Sequence, residues 1–209
     1  MTRLPPFAAL VRHRSLGYAL ACAASALIAT ACQSHEAVPR MGFIPLSLPL
    51  AHSKSDPMTS SWHDAAALDS PSRKIAVTQV EVGSVAGDRM TDDQQAEVTL
   101  RLRRALEASF GDRLVSAGGP DVIEVKACIT DFKPNKPLRN IAPQTQIMRR
   151  GYGYAACEME ATLGGRPVAA MASTVDTQRF GTDKLSDMGT ADAACATWAK
   201  KFSALLGAD

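Results

Sequence analysis

Apolar and polar residues alternate along this chain with a period that changes several times, and each change marks an element. Ile75-Ala-Val-Thr-Gln-Val-Glu-Val82 is dense in β-branched residues and stops at Gly83, which predicts a strand. Thr91-Asp-Asp-Gln94 then has the form of a capping box. Behind it Val98, Leu102, Ala105, Leu106 and Phe110 recur at helical spacing up to Gly111. Arg113 to Ser116 reads as a short strand turned by Gly118-Gly119-Pro120. From Val122 to Phe132 the period is two: Ile123, Val125, Ala127 and Ile129 share one face, and Glu124, Lys126, Cys128 and Thr130 the other. Gly153 to Leu163 alternates likewise, with Ala155, Cys157, Met159 and Ala161 inward and Glu158 and Glu160 outward. Gly164-Gly165 is a hairpin turn signal, and Pro167 to Gln178 returns as the partner strand. A second helical stripe, Ala191, Cys195, Trp198, Phe202 and Leu205 or Leu206, closes at Gly207.

One apolar and one wetter face on each strand, with two amphipathic helices, predict an α+β fold. The expected order is β-α-β-β-β-β-α: a mainly antiparallel sheet of about four to five strands with two helices packed on one face. Burying the aromatic, Leu and Val side chains of that face is worth roughly 1.5–3 kcal/mol each, enough for one domain. The predicted domain runs from residue 74 to 209. Before it, residues 32–73 are broken by Pro39, Pro45, Pro49, Pro57 and Pro71 and read as a tether. Such a tether of about forty residues would reach on the order of 100 Å at roughly 3 Å per residue. Gly42-Phe43-Ile44 and Trp62 stand out in it as apolar anchors able to lie against the domain.

Residues 1–31 have the layout of a secretory signal. Arg3, Arg12, His13 and Arg14 precede an uncharged stretch, Leu16 to Ala31, that is too short to span a bilayer comfortably. It ends in Leu27-Ile28-Ala29-Thr30-Ala31-Cys32-Gln33, which resembles the lipobox of bacterial lipoproteins, with Ala29 where Leu or Val is usual. The resemblance implies cleavage before Cys32, acylation (palmitate among the lipids) of that cysteine, and membrane attachment through it. Gln33, not Asp, after the cysteine implies retention at the outer membrane. Cleavage by ordinary signal peptidase, giving a soluble secreted protein, is the competing outcome. Export also changes the charge balance: of 23 basic and 21 acidic residues, the signal removes Arg3, Arg12 and Arg14 and no acid, leaving 20 against 21. A near-neutral mature chain gives no case for nucleic-acid binding.

Several further stretches point to one family. Gly42-Phe43-Ile44, the strand Ile75–Val82, Ala127-Cys-Ile-Thr-Asp131 and the terminal Ala194-Cys-Ala-Thr-Trp198-Ala199 together resemble the Gram-negative lipoproteins of the domain of unknown function 3313 family, over about residues 41 to 206. The chain departs from that pattern at Leu163-Gly164-Gly165-Arg166, where an Asp-x-x-Thr-Gly type of turn is expected. The resemblance implies a lipid-anchored periplasmic domain with no assigned activity.

The residue types that carry catalysis are sparse. His35, His52 and His63 all precede the predicted domain, where a tether would hold imidazole poorly for acid–base or nucleophilic work. Cys128, Cys157 and Cys195 are too scattered for zinc ligation, so no metal and no cofactor is expected. Cys157 and Cys195 both fall on inward faces, which leaves two arrangements open: a Cys157–Cys195 disulfide, or three buried thiols acting as small hydrophobes. Gly151-Tyr-Gly153-Tyr-Ala-Ala156 matches a dinucleotide motif on paper, but it opens a strand where the motif must open a helix. Glu158, Glu160 and Glu124 read as a solvated sheet face, with Lys126 or Arg179 as cross-strand ion partners. The segment after residue 132 is different. Lys133, Lys136, Arg139, Arg149 and Arg150 occur with no acidic residue among them, beside Tyr152 and Tyr154. They are candidates for contact with a partner protein or an anionic envelope component; a solvated basic loop is the plainer alternative.

These observations point away from an enzyme and towards a binding or accessory module of an envelope complex with an unknown protein partner. A structural protein that binds the cell wall or its own copies is the alternative.

Overall fold

The computed structural model describes residues 40–135, 153–176 and 188–208. Its centre is a six-stranded mixed sheet. The strands are β1 (Ala51–His52), β2 (Thr59–His63), β3 (Ile75–Val82), β4 (Ile123–Lys133), β5 (Tyr154–Leu163) and β6 (Arg166–Asp176). Their spatial order is β1-β2-β6-β5-β4-β3. Every neighbouring pair is antiparallel except β3 and β4, which are parallel. The helices are two single turns, α1 (Ala65–Leu68) and α2 (Ser84–Gly87), and two long ones, α3 (Asp92–Phe110) and α4 (Gly189–Leu205).

This corrects the expected architecture in three respects: among the described residues there are four helices, not two, the added ones being single turns, and the sheet differs in width and in strand direction. The sheet is wider than four to five strands because β1 and β2 come from the Pro-rich stretch before residue 74. It is mixed, not antiparallel, because the strand expected at Arg113–Ser116 does not form. Those residues give a 3-10 turn (Gly111–Arg113) and one bridge, Leu114 to Ile75. Without a strand in between, β3-α3-β4 becomes a crossover unit, and a crossover to the adjacent strand leaves the pair parallel.

Local chemistry explains the long helices. Thr91 Oγ1 accepts from Gln94 N at 3.3 Å and Gln94 Oε1 accepts from Thr91 N at 2.9 Å, closing the capping box of α3. Val98, Leu102, Leu106 and Phe110 form its buried face. At the end of α4, Ala208 N donates to Ser203 O and Gly207 N to Ala204 O, with Gly207 at φ +61°. That pair of bonds is a Schellman stop, which a residue with a Cβ would resist.

Both long helices pack on one face of the sheet. There Ile75, Ile123, Val125, Ile129, Met159 and Met171 meet Leu102, Leu106, Phe110, Trp198 and Phe202 in one core. In β4 the register slips between Ile129 and Asp131. The extra residue reverses the alternation, so Phe132 enters the core and Asp131 is left outside. The hairpin joining β5 to β6 has positive φ at both Gly164 (+56°) and Gly165 (+78°), the conformation of a tight type I′ turn. The Gly-Gly pair thus satisfies the turn without the Asp-x-x-Thr-Gly chemistry.

The opposite sheet face is covered too. Residues 40–50 lie across it as a strap: Ile44 is fully buried against Ala170 and Ala172, and Phe43, Leu48, Leu50 and Trp62 pack around them. Alanines on β6 leave the depth that Ile44 fills. Residues 40–63 are therefore strap and sheet where proline content suggested tether.

Candidate functional site

The strap is held by two polar clamps. Glu158, on the outer face of β5 and 1 % exposed, accepts from the backbone N–H of Ile44 at 2.8 Å and from that of Met41. A carboxylate with two amide donors is a charge-assisted clamp, stronger than a neutral pair. On the strap itself the Arg40 guanidinium donates to the carbonyls of Pro45 (2.8 Å), Leu48 (3.1 Å) and Leu46 (3.3 Å), closing the segment on itself. Glu158 is therefore buried, not solvated as the alternation suggested. Alternation alone makes the outer face look wet because the strap that covers it lies more than a hundred residues away in sequence.

Beside the strap is a cleft of about 310 Å³. It is lined by Met41, Gly42 and Phe43 on one side and by Glu81, Gly83, Ser84 and Val85 on the other, with Cys128 and Thr130 of β4. The Cys128 thiol is pushed up to about 12, first by burial and then by the carboxylates of Glu81 and Glu158. A thiol held protonated in this way is a poor nucleophile and a poor metal ligand.

The other expected cysteines lie on the helix side of the sheet. Cys157 and Cys195 are both buried in the main core as free thiols. Burial pushes Cys195 up to about 12 and Cys157 well above its ordinary value, with each other's proximity adding to Cys157.

Three polar clusters that the residue pattern does not announce are present, two of them joining distant parts of the chain. In the first, Lys201 Nζ on α4 pairs with Asp56 Oδ2 at 2.6 Å and donates to Thr59 Oγ1 at 3.0 Å and Ser173 Oγ at 3.4 Å. Thr59 Oγ1 also donates to Asp56 Oδ2 at 2.7 Å and lies 2.8 Å from Ser173 Oγ. Burial pushes the Asp56 carboxyl up, but the bonds from Lys201 and Thr59 outweigh it and hold it below the usual value. A Ser–Lys pair could in principle serve a nucleophilic mechanism. Here Ser173 is sealed from solvent and the lysine is ion-paired, so the cluster ties β2 to β6 and α4.

In the second cluster His52 Nδ1 stands 3.0 Å from Ser60 Oγ, its partner across the β1–β2 pair. The sheet therefore fixes an imidazole that a tether would have left loose. Among the described residues no carboxylate bonds to its other nitrogen.

The third cluster stands where β4 and β5 end. Tyr154 Oη donates to Asp131 Oδ2 at 2.6 Å, and Arg89 donates to Asp131 Oδ1 at 2.7 Å and to the Phe132 carbonyl at 2.9 Å. The bond to Asp131 leads the causes that raise the tyrosine. Asn135 Oδ1 accepts from Gly153 N at 2.8 Å and from Thr190 Oγ1 at 3.0 Å, which joins both strand ends to the start of α4. Gly153 has no room for a side chain: a Cβ would collide with the Lys133 carbonyl and stand 2.6 Å from Asn135 Oδ1.

Of the candidate contact residues, Lys133 is exposed and Tyr154 is half-buried, paired across the last rung of β4 and β5. Lys136, Arg139, Arg149, Arg150 and Tyr152 lie outside the described residues, as do Cys32, the predicted signal segment (residues 1–31) and His35. Among the described residues no group of three or more His, Cys, Asp or Glu is placed to hold a metal, and no helix is long and apolar enough to cross a membrane.

Comparison with known proteins agrees with the family resemblance. The family model described as "Protein of unknown function (DUF3313)" matches residues 49–202. The chain belongs to this family. The match takes in β2, which the predicted boundary at residue 74 left out, and ends on α4. No curated protein matches the chain. Among solved structures it is similar to the PelC dodecamer from Paraburkholderia phytofirmans, at 11 % identity and a TM-score of 0.45, covering 73 % of this chain and 99 % of that one. A single-substitution variant of the same dodecamer gives 11 % identity and a TM-score of 0.42, covering 65 % of this chain and 86 % of that one. At such values the likeness is one of general shape.

Proposed function

We propose that this DUF3313 protein is a lipoprotein of the outer membrane, anchored through Cys32, whose domain faces the periplasm as a non-catalytic binding module of an envelope complex. The observation that carries this reading is the strap. An acylated Cys32 would be followed by only seven residues before Arg40, where the strap that Glu158 clamps at Met41 and Ile44 begins. Fully extended, the chain from Cys32 to Arg40 spans about 29 Å, not the 100 Å or so of a forty-residue tether. Such a domain works next to the bilayer. The buried polar groups support the non-catalytic part of the reading: Glu158, Ser173, Lys201 and Asn135 are each engaged in tying segments together, and the three thiols are held protonated.

The partner contact is placed at the basic segment that begins at Lys133 and returns at Tyr154, with Lys136, Arg139, Arg149, Arg150 and Tyr152 as its other candidates. Its base supports this, since the Asn135–Gly153–Thr190 bonds and the Arg89–Asp131–Tyr154 cluster hold both strand ends firmly. Cross-linking in living cells followed by affinity recovery tests both halves of the reading. The wild type is compared with a Cys32→Ser form and with an Arg149→Glu, Arg150→Glu variant. A stoichiometric partner recovered with the wild type and lost in the charge reversal is the expected result. Equal palmitate labelling of wild type and Cys32→Ser would remove the anchor, and unchanged recovery from the charge reversal would remove the contact.

A further inference from the structure

The two sides of the strap differ in chemistry. Its underside is buried on β6 and β2 around Ile44. Met41 to Leu50 contains no ionisable residue, and the one charge of the strap, the Arg40 guanidinium, is bonded to the strap's own carbonyls at Pro45, Leu46 and Leu48. Met41 is 46 % exposed and Leu46 73 %, two of the four large apolar side chains that stand open among the described residues. The backbone beneath them is fixed by the Arg40 bonds to three strap carbonyls and by the Glu158 clamp, so these side chains are held out towards solvent.

Isolated exposed apolar residues are ordinary and need no explanation. Here the position supplies one. The uncharged run begins nine residues after Cys32, within about 29–32 Å of extended chain, a length comparable to one bilayer hydrocarbon core. A lipid anchor gains from a second, weaker membrane contact, because the two bind as linked sites.

We infer that the outer side of the strap is a lipid-facing surface, with Met41 and Leu46 set into the interface of the leaflet that holds the anchor. This rests on the anchoring at Cys32 proposed above. It fixes an orientation: the strap-covered sheet face turns to the membrane, and α3 and α4, packed on the other face, turn to the periplasm. The occupant is lipid because the covalent anchor brings the bilayer to this surface in every molecule.

The test uses the full processed protein in vesicles of phosphatidylethanolamine and phosphatidylglycerol. A nitroxide is attached at Leu46→Cys or, as reference, at Leu100→Cys on α3. Both positions are exposed, and burial keeps the three native thiols from reacting. Flotation on a density gradient reports the anchor in the same samples. The expected result is flotation with a several-fold lower collision rate with a water-soluble nickel chelate at position 46 than at position 100. Flotation with equal collision rates would overturn the lipid-facing surface and leave the anchor standing. Failure to float would overturn both. Shielding of position 46 in a soluble exported Cys32→Ser form, without vesicles, would mean that protein covers the strap and would also overturn it.

Discussion

The clamp on the strap gives the sharpest quantitative prediction. Glu158→Gln keeps the size of the side chain and one carbonyl oxygen, but places an NH2 opposite one of the two backbone N–H groups of Met41 and Ile44. Hydrogen bonds to a charged group are worth about 1.5–3 kcal/mol. Exchanging one such acceptor for a donor, and the other for a neutral oxygen, should cost about 2–4 kcal/mol. The strap touches the rest of the chain mainly through Ile44 and its small apolar cluster, so it should open as a unit before the main core does. At a factor of ten per 1.36 kcal/mol, the Met41 and Ile44 amides should exchange with deuterium at least about 30-fold faster. Amides of β4 and β5, such as Val125 and Met159, should exchange at wild-type rates. Ile44→Ala, a cavity mutation costing about 2–5 kcal/mol, should release the same two amides by a different route. Unchanged exchange at Met41 and Ile44 in Glu158→Gln would refute the clamp. Equal acceleration across the whole sheet would refute the strap as a separate unit.

Four further predictions concern the rest of the chain. Gly153→Ala should lower stability by about 1–3 kcal/mol through overpacking against Lys133 and Asn135, a fall in Tm of roughly 3–10 °C by calorimetry. Asp56 has a folded value below its unfolded one near 3.9, so its contribution is present above that pH and is lost as pH falls through the folded value; the stability gap between wild type and Asp56→Asn should close below about pH 4. Glu160 behaves oppositely: burial raises it, Lys126 only partly offsets this, and so its stabilising effect exists at low pH and disappears as pH rises through the folded value. Glu160→Gln should therefore be the more stable form at pH 7 and lose that advantage below about pH 4, as read from urea midpoints. With Cys32 acylated, native protein at pH 8 should show almost no thiol reactive to alkylation, and denaturation without reductant should expose three; finding one would establish a Cys157–Cys195 bond.

Much of the core could be read from residue order because its signals are local. The capping box at Thr91, the stripe through Val98 and Phe110, and the alternation in β4 each depend on neighbours a few positions away. Sheet width and strand direction are not local. Whether β3 and β4 run parallel depends on a strand that does not form at Leu114, and β2 joins the sheet only by finding β6. One available signal was passed over. Val168-Ala-Ala-Met-Ala172 is apolar at every position, the mark of a strand covered on both faces, and it implied a layer over the outer side. With that layer in place, Glu158 could not be a solvated carboxylate. The Asp56–Thr59–Ser173–Lys201 cluster had no such signal, because its members come from three separate segments.

The strap and β2 also impose an order of events. A chain made N-terminus first delivers Ile44 and Thr59 early, yet their partners, Glu158 and Ser173, are each 114 residues further on. Contacts so far apart in sequence form late, since the intervening loop must close first. Residues 40–63 must therefore wait unpaired while most of the domain emerges. For a chain acylated at Cys32, completion of folding would shorten the slack next to the lipid from about thirty residues to seven, drawing the domain in towards the bilayer as its last step.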